Sequence, residues 1–147
     1  MHSLLDGRAH EVAVDIAAEL ASQRSTTERQ LGDALERTAV LVAAAATENR
    51  GGGDALESLV DELIRFKSML DRSAEVQSAF SDSRASAEAK VTLARRLSTP
   101  GSEEAALLIE RAASEPRGAL PGRLLEQFAQ WVADRQQRWI ARVESAR

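Results

Sequence analysis

The chain contains no cysteine and no tyrosine, and only two histidines, three prolines and two methionines. Without cysteine there can be no disulfide and no thiolate metal site, which fits a reducing compartment. His2 and His10 have no partner at metal-ligand spacing, so they read as solvent-exposed bystanders. No apolar run approaches the ~18 to 20 residues that a membrane span needs. Met1 to Leu20 does not read as a signal peptide, because Asp6, Glu11, Asp15 and Glu19 interrupt any apolar core. Aromatic residues are 3% of the chain, and a net charge of −4 with pI near 5.3 gives no support for a nucleic-acid surface. These absences predict a soluble, intracellular protein.

What is present is helical. The 147 residues are enough for one domain with a continuous core, and 44% of them are hydrophobic. Most of that share is Ala, Leu and Val, with no period-two alternation that would mark a strand. Val12, Ile16 and Leu20 predict a first helix from about Ala9 to Gln23, flanked by Ala13, Ala17 and Ala21. Ser25 with Glu28 resembles a capping box and predicts a new helix start, leading to Leu31, Leu35, Ala39 and Val42 on one face. Asn49 and Gly51-Gly52-Gly53 predict its end and a flexible joint, with Asp54 capping the next helix.

That next helix carries Leu56, Leu59, Leu63, Phe66 and Leu70 in steps of three and four, the seam of a bundle helix. Arg65 and Lys67 fall on its solvated side. A short helix follows from Ala74 to Phe80, and another starts near Ser86 and stops at Ser98-Thr99-Pro100-Gly101. An apolar helix opens at Glu103 and runs to Ala113, with a break at Ser114 to Gly118. From about Pro121, one long helix holds Leu124, Leu125, Phe128, Trp131, Val132, Trp139, Ile140 and Val143. It carries both tryptophans, and the rest of the chain is expected to pack on it. The fold class is all-α with six or seven helices.

An internal repeat is visible at an offset of 92 residues, with His10-Glu11-Val12-Ala13 against Ser102-Glu103-Glu104-Ala105. After one inserted residue, Arg24 meets Arg117, Leu31 meets Leu124 and Leu35 meets Phe128. Residues 1 to about 48 would then close one unit, and the remainder would form a second. The other reading is that two amphipathic helix pairs resemble each other by pattern alone.

No constellation points to covalent chemistry. The glycine triplet lacks the Lys-Ser/Thr ending of a phosphate-binding loop, and no Glu-x-x-His pair marks a carboxylate metal site. Glu103 and Glu104 open a helix, where acids complement the dipole. Arg135, Arg138, Arg142 and Arg147 are diluted by Asp134 and Glu144 and read as a solvated face. Two places exceed a single buried stripe, Thr38 to Ala46 and Leu107-Leu108-Ile109. Such helices either sit centrally in a bundle or leave a groove for a partner's amphipathic helix.

Residues from about 33 to 146 resemble a known family in ordered blocks. These are Arg37 to Ala44, then Leu56 to Leu70, Ser73 to Ser81, and Ser86-Ala87-Glu88-Ala89-Lys90. Leu107-Leu108-Ile109 leads on to Arg117, and Leu124-Leu125-Glu126-Gln127-Phe128 is followed by the ending Ala141-Arg142-Val143-Glu144-Ser145-Ala146. The set resembles the N-terminal domain of the F-type ATP synthase delta subunit, the oligomycin-sensitivity-conferring protein of mitochondria.

The resemblance implies a six-helix bundle over 33–147, with an additional N-terminal helix in 1–32 that could end a preceding repeat. It implies a non-catalytic stator component on the cytoplasmic face of the bacterial plasma membrane, holding the catalytic head against rotor torque. Its partners would be the N-terminal helix of an alpha subunit and, through a C-terminal region missing here, the peripheral-stalk b chain. It calls for no cofactor, metal, nucleic acid or direct membrane insertion. The alpha-helix groove maps onto Ala39, Val42, Ala43, Ala46, Leu107, Leu108 and Arg111. The sequence departs from the family in lacking its first-helix tyrosine, the position falling near Thr38-Ala39. The alternative class is a stand-alone helical adaptor or regulatory bundle.

Overall fold

The computed structural model describes residues 2–115 and 120–146, with the side chains of 2–10 left out. Pro116, Arg117, Gly118 and Arg147, and the side chains of His2 and His10, therefore lie outside the described residues. Among the described residues every regular element is a helix, and there is no strand. The five are α1 (His2–Arg72), α2 (Ala74–Ser81), α3 (Ala87–Leu97), α4 (Glu103–Ala113) and α5 (Pro121–Ser145). The chain divides into two compact units, Met1–Glu36 and Arg37–Arg147.

The first unit is helical straight through Ser25, so the expected stop at Gln23 and restart at Ser25 do not occur. Ser25 lies inside a helix rather than capping one. The neighbouring threonines fit within the continuous helix. Thr26 Oγ1 donates to the Ser22 carbonyl at 3.0 Å and Thr27 Oγ1 to that of Gln23 at 2.9 Å, so both hydroxyls are satisfied one turn back. Arg24 and Glu28 add an i,i+4 pair at 3.4 Å. Every residue from Glu11 to Gln30 is exposed, including Val12, Ile16 and Leu20.

In the second unit the glycine triplet is also not a loop. Only Gly52 leaves helical geometry, at φ 65 and ψ −147, a region open to glycine alone. It divides this part of α1 into stretches 37–51 and 53–72. Asp54 sits in the first turn of the second stretch and does not cap it.

The remaining helix starts follow local chemistry. Ser73, Ser86 and Ser102 each accept the backbone N–H three residues on, from Val76, Ala89 and Ala105. α5 has no such cap and begins with Pro121, whose missing N–H is an orphan at that position anyway. At the end of α1, Gln77 Nε2 donates to the Leu70 carbonyl at 2.9 Å.

One core holds the second unit together. It joins Val40, Ala43 and Ala44, the seam Leu56, Leu59, Leu63, Phe66 and Leu70, Phe80, Ala94, the inner face of α4, and Leu125, Phe128 and Val132. Phe66 and Phe80 meet edge-on at 6.4 Å, and Phe128 stacks with Trp131 at 6.1 Å. α5 is one wall of that core, with Leu125, Phe128, Ala129 and Val132 buried and Trp139 packed against it. It is not the spine expected for the whole chain, since residues 11–30 are all exposed. Ile140 and Val143, in its last turns, are exposed.

Candidate functional site

The two apolar excesses belong to helices that line the same core. On α1, Val40, Ala43, Ala44 and Thr47 point inward, and Thr47 Oγ1 is satisfied by the Ala43 carbonyl at 2.9 Å. The outward face of the same stretch carries Ala39, half-buried, and then Val42 and Ala46, both exposed. These three are spaced i, i+3 and i+7 and so share one side of the helix.

On α4, Ala105, Leu108, Ile109, Ala112 and Ala113 are buried, while Leu107 and Arg111, one turn apart, are exposed. Val42 is 64% and Leu107 54% accessible, although each sits beside a residue that is almost fully enclosed. Of the seven groove residues read from the sequence, Val42, Ala46, Leu107 and Arg111 therefore face solvent. Ala43 and Leu108 are part of the core instead.

Charged side chains hold the first stretch of α1 at two places. Arg50 Nη1 donates to both carboxylate oxygens of Glu104 at 2.6 Å, tying the end of that stretch to the first turn of α4. The Arg50 hydrogen bond holds the Glu104 carboxyl below its ordinary range, against the opposing effect of partial burial. Glu48 accepts from Arg135 Nε at 2.5 Å and from Arg142 Nη2 at 2.7 Å, both on α5. Burial pushes the Glu48 carboxyl up, but the hydrogen bonds and charges of Arg135 and Arg142 together bring it below the usual value. A further pair, Arg95 with Glu110, joins α3 to α4.

Sequence reading missed this second attachment. Arg135 and Arg142 look like a solvated stripe because their acceptor stands 87 and 94 residues away, and no local signal links them. Glu104 does lie in the first turn of α4, as the dipole argument expects, and also holds Arg50. Arg37 is placed over the Trp131 ring at 5.6 Å, another contact that only folding creates.

Among the described residues no group of three acidic or histidine side chains could hold a metal ion, and no helix is long and apolar enough to cross a membrane. What these positions offer is exposed apolar side chains, Val42 and Ala46 on α1 and Leu107 on α4.

A match to the ATP synthase delta (OSCP) subunit family covers residues 38–147. The chain belongs to that family. It is 85% identical over 147 residues to the ATP synthase subunit delta of Kocuria rhizophila, covering 100% of this chain and 54% of the relative. The ATP synthase subunit delta of Renibacterium salmoninarum is 45% identical over 144 residues, covering 97% of this chain and 53% of the relative. That of Streptomyces coelicolor is 32% identical over 144 residues, covering 97% and 52% respectively. The chain thus spans about half the length of these curated relatives. No solved structure matches it.

Proposed function

We propose that the chain is a non-catalytic peripheral-stalk element of an F-type ATP synthase, which docks the N-terminal helix of an alpha subunit and holds the catalytic head against rotor torque. The delta-type domain would span 33–147, with 1–32 as a leading helical segment. Gly52 divides α1 so that the described residues of 33–147 contain six helical stretches, which supports the bundle that the resemblance implies. The complex would be peripheral on the cytoplasmic face of the plasma membrane. A b chain would be the second partner, through the family's C-terminal region.

One observation carries the docking site. Val42 and Leu107 are large apolar side chains left in water on helices whose inner faces are otherwise close-packed in one core. The contact surface is Ala39, Val42 and Ala46 on α1 with Leu107 and Arg111 on α4, and Ala43 and Leu108 form the layer beneath. A partner helix with an apolar stripe and an acidic residue near Arg111 fits this chemistry. Burying about 400 Å2 of apolar surface supplies roughly 10 kcal/mol gross, most of it offset by association and ordering.

The test is a titration of the full chain with a synthetic alpha-subunit N-terminal peptide, followed by calorimetry. Micromolar binding that is lost in Val42→Asp and in Leu107→Asp supports the site. Undiminished binding by both variants moves it elsewhere, and absence of binding by a folded chain favours a different helical partner.

A further inference from the structure

The apolar stripe of the first unit is left wholly in solvent. Val12, Ile16, Leu20, Leu31 and Leu35 are each more than half exposed, between 53% and 60%. A stripe this long on one helix face is a surface without its cover.

Its register identifies the kind of cover. At the 92-residue offset, the buried α4 positions Ala105, Leu108, Ile109, Ala112 and Ala113 fall on Ala13, Ile16, Ala17, Leu20 and Ala21. All five are apolar in both places. The outward positions of α4 do not carry over in the same way, since Leu107 and Arg111 fall on Asp15 and Glu19. The likeness is thus concentrated on the face that α4 buries. In the second unit that face joins a core with the seam Leu56 to Leu70 and with Ala94 of α3, and Arg95 of α3 reaches Glu110 of α4.

We infer that the face Ala13, Ile16, Ala17, Leu20 and Ala21 is a docking surface for an apolar-faced helical segment of the same pattern as residues 54–97, whose seam and Ala94 share one core with the buried face of α4 here. The occupant is a helical seam with leucines or phenylalanine in steps of three and four, followed by a short helix presenting a small residue as Ala94 does. The relatives that match over nearly all of this chain are about twice its length, so one polypeptide of that size has room for such a segment. The inference stands on register and burial and does not depend on the stator reading.

The probe is a synthetic polypeptide of residues 54–97, labelled at its N-terminus and titrated into the full chain by fluorescence anisotropy. Binding to the wild-type chain, weakened by about tenfold or more in the Ile16→Asp/Leu20→Asp double variant, supports the inference. Both substituted side chains are exposed, so circular dichroism of the variant should match the wild type. Equal affinity for wild type and variant overturns it, because the probe would then be bound by the second unit. No binding by a helical chain overturns it as well. So does concentration-dependent self-association of the wild type that the double variant abolishes, since the cover would then be a second copy.

Discussion

The indole of Trp139 lies against the backbone of Gly53 so closely that a Cβ placed there would come within 2.6 Å of two ring carbons. Gly52, one residue earlier, has the same ring at 3.1 Å from an added Cβ and a backbone closed to other residues. Gly53→Ala should therefore displace the indole and cost about 1–3 kcal/mol by overpacking. Gly52→Ala should cost a similar amount through backbone strain, about 1–3 kcal/mol. Urea denaturation gives the stabilities, and indole emission in a Trp131→Phe background reports the displacement. A Gly53→Ala protein with unchanged emission and midpoint would contradict this packing.

The Glu48 carboxylate serves two guanidinium groups of α5 and is largely enclosed. Arg142 is mostly exposed and contributes little, so the Arg135 contact carries most of the effect. Glu48→Gln should destabilise the second unit by about 1–2 kcal/mol. Asp134→Asn, in an acid on the same helix as Arg135, should change stability by less than about 0.5 kcal/mol.

The same carboxylates set a pH dependence. Glu48 and Glu104 are held below the ordinary glutamate value in the folded chain, so folding favours their ionised forms. Their contribution is complete above the unfolded value of about 4.3 and is lost as pH falls through the lower folded values. The urea midpoint measured from pH 7 to pH 3 should drop in that acid range, and the drop should be smaller in Glu48→Gln/Glu104→Gln. An identical acid slope in the double variant would refute the assignment.

Inner and outer leucines of α4 should separate stability from binding. Leu108 is fully buried, and Leu108→Ala should cost about 2–5 kcal/mol. Leu107→Ala should change stability by less than about 0.5 kcal/mol while weakening the partner helix. Thermal denaturation distinguishes the two, and comparable losses in both variants would mean that Leu107 is not a surface residue.

Much of this was legible from local chemistry. Ser73, Ser86 and Ser102 precede helices whose first turns need an acceptor, and Pro121 marks the start of α5. The step pattern Leu56 to Leu70 is the buried seam. The errors fall where two local signals compete. Ser25 with Glu28 satisfies the capping pattern, yet Thr26 and Thr27 back-bond and the helix continues. Three glycines read as a terminator, but the ring that fills the space above Gly53, and also lies against Gly52, arrives from 86 residues away. At the candidate site, apolar excess marked two helices that carry exposed apolar residues and could not tell which of two adjacent leucines faces out. That is decided by which side of α4 the core occupies, a property of the whole second unit.

A triplet of glycines would ordinarily make α1 a soft elbow. Here the bend is jammed by Trp139, and Glu48 clasps α5 just before it. A sideways load on the first stretch of α1 is consequently passed to α5 as through a braced strut, with little lost in flexing. That brace combines the indole with the Glu48 and Arg50 contacts, and trimming Trp139 to alanine would leave those ion pairs in place while opening room at the glycines.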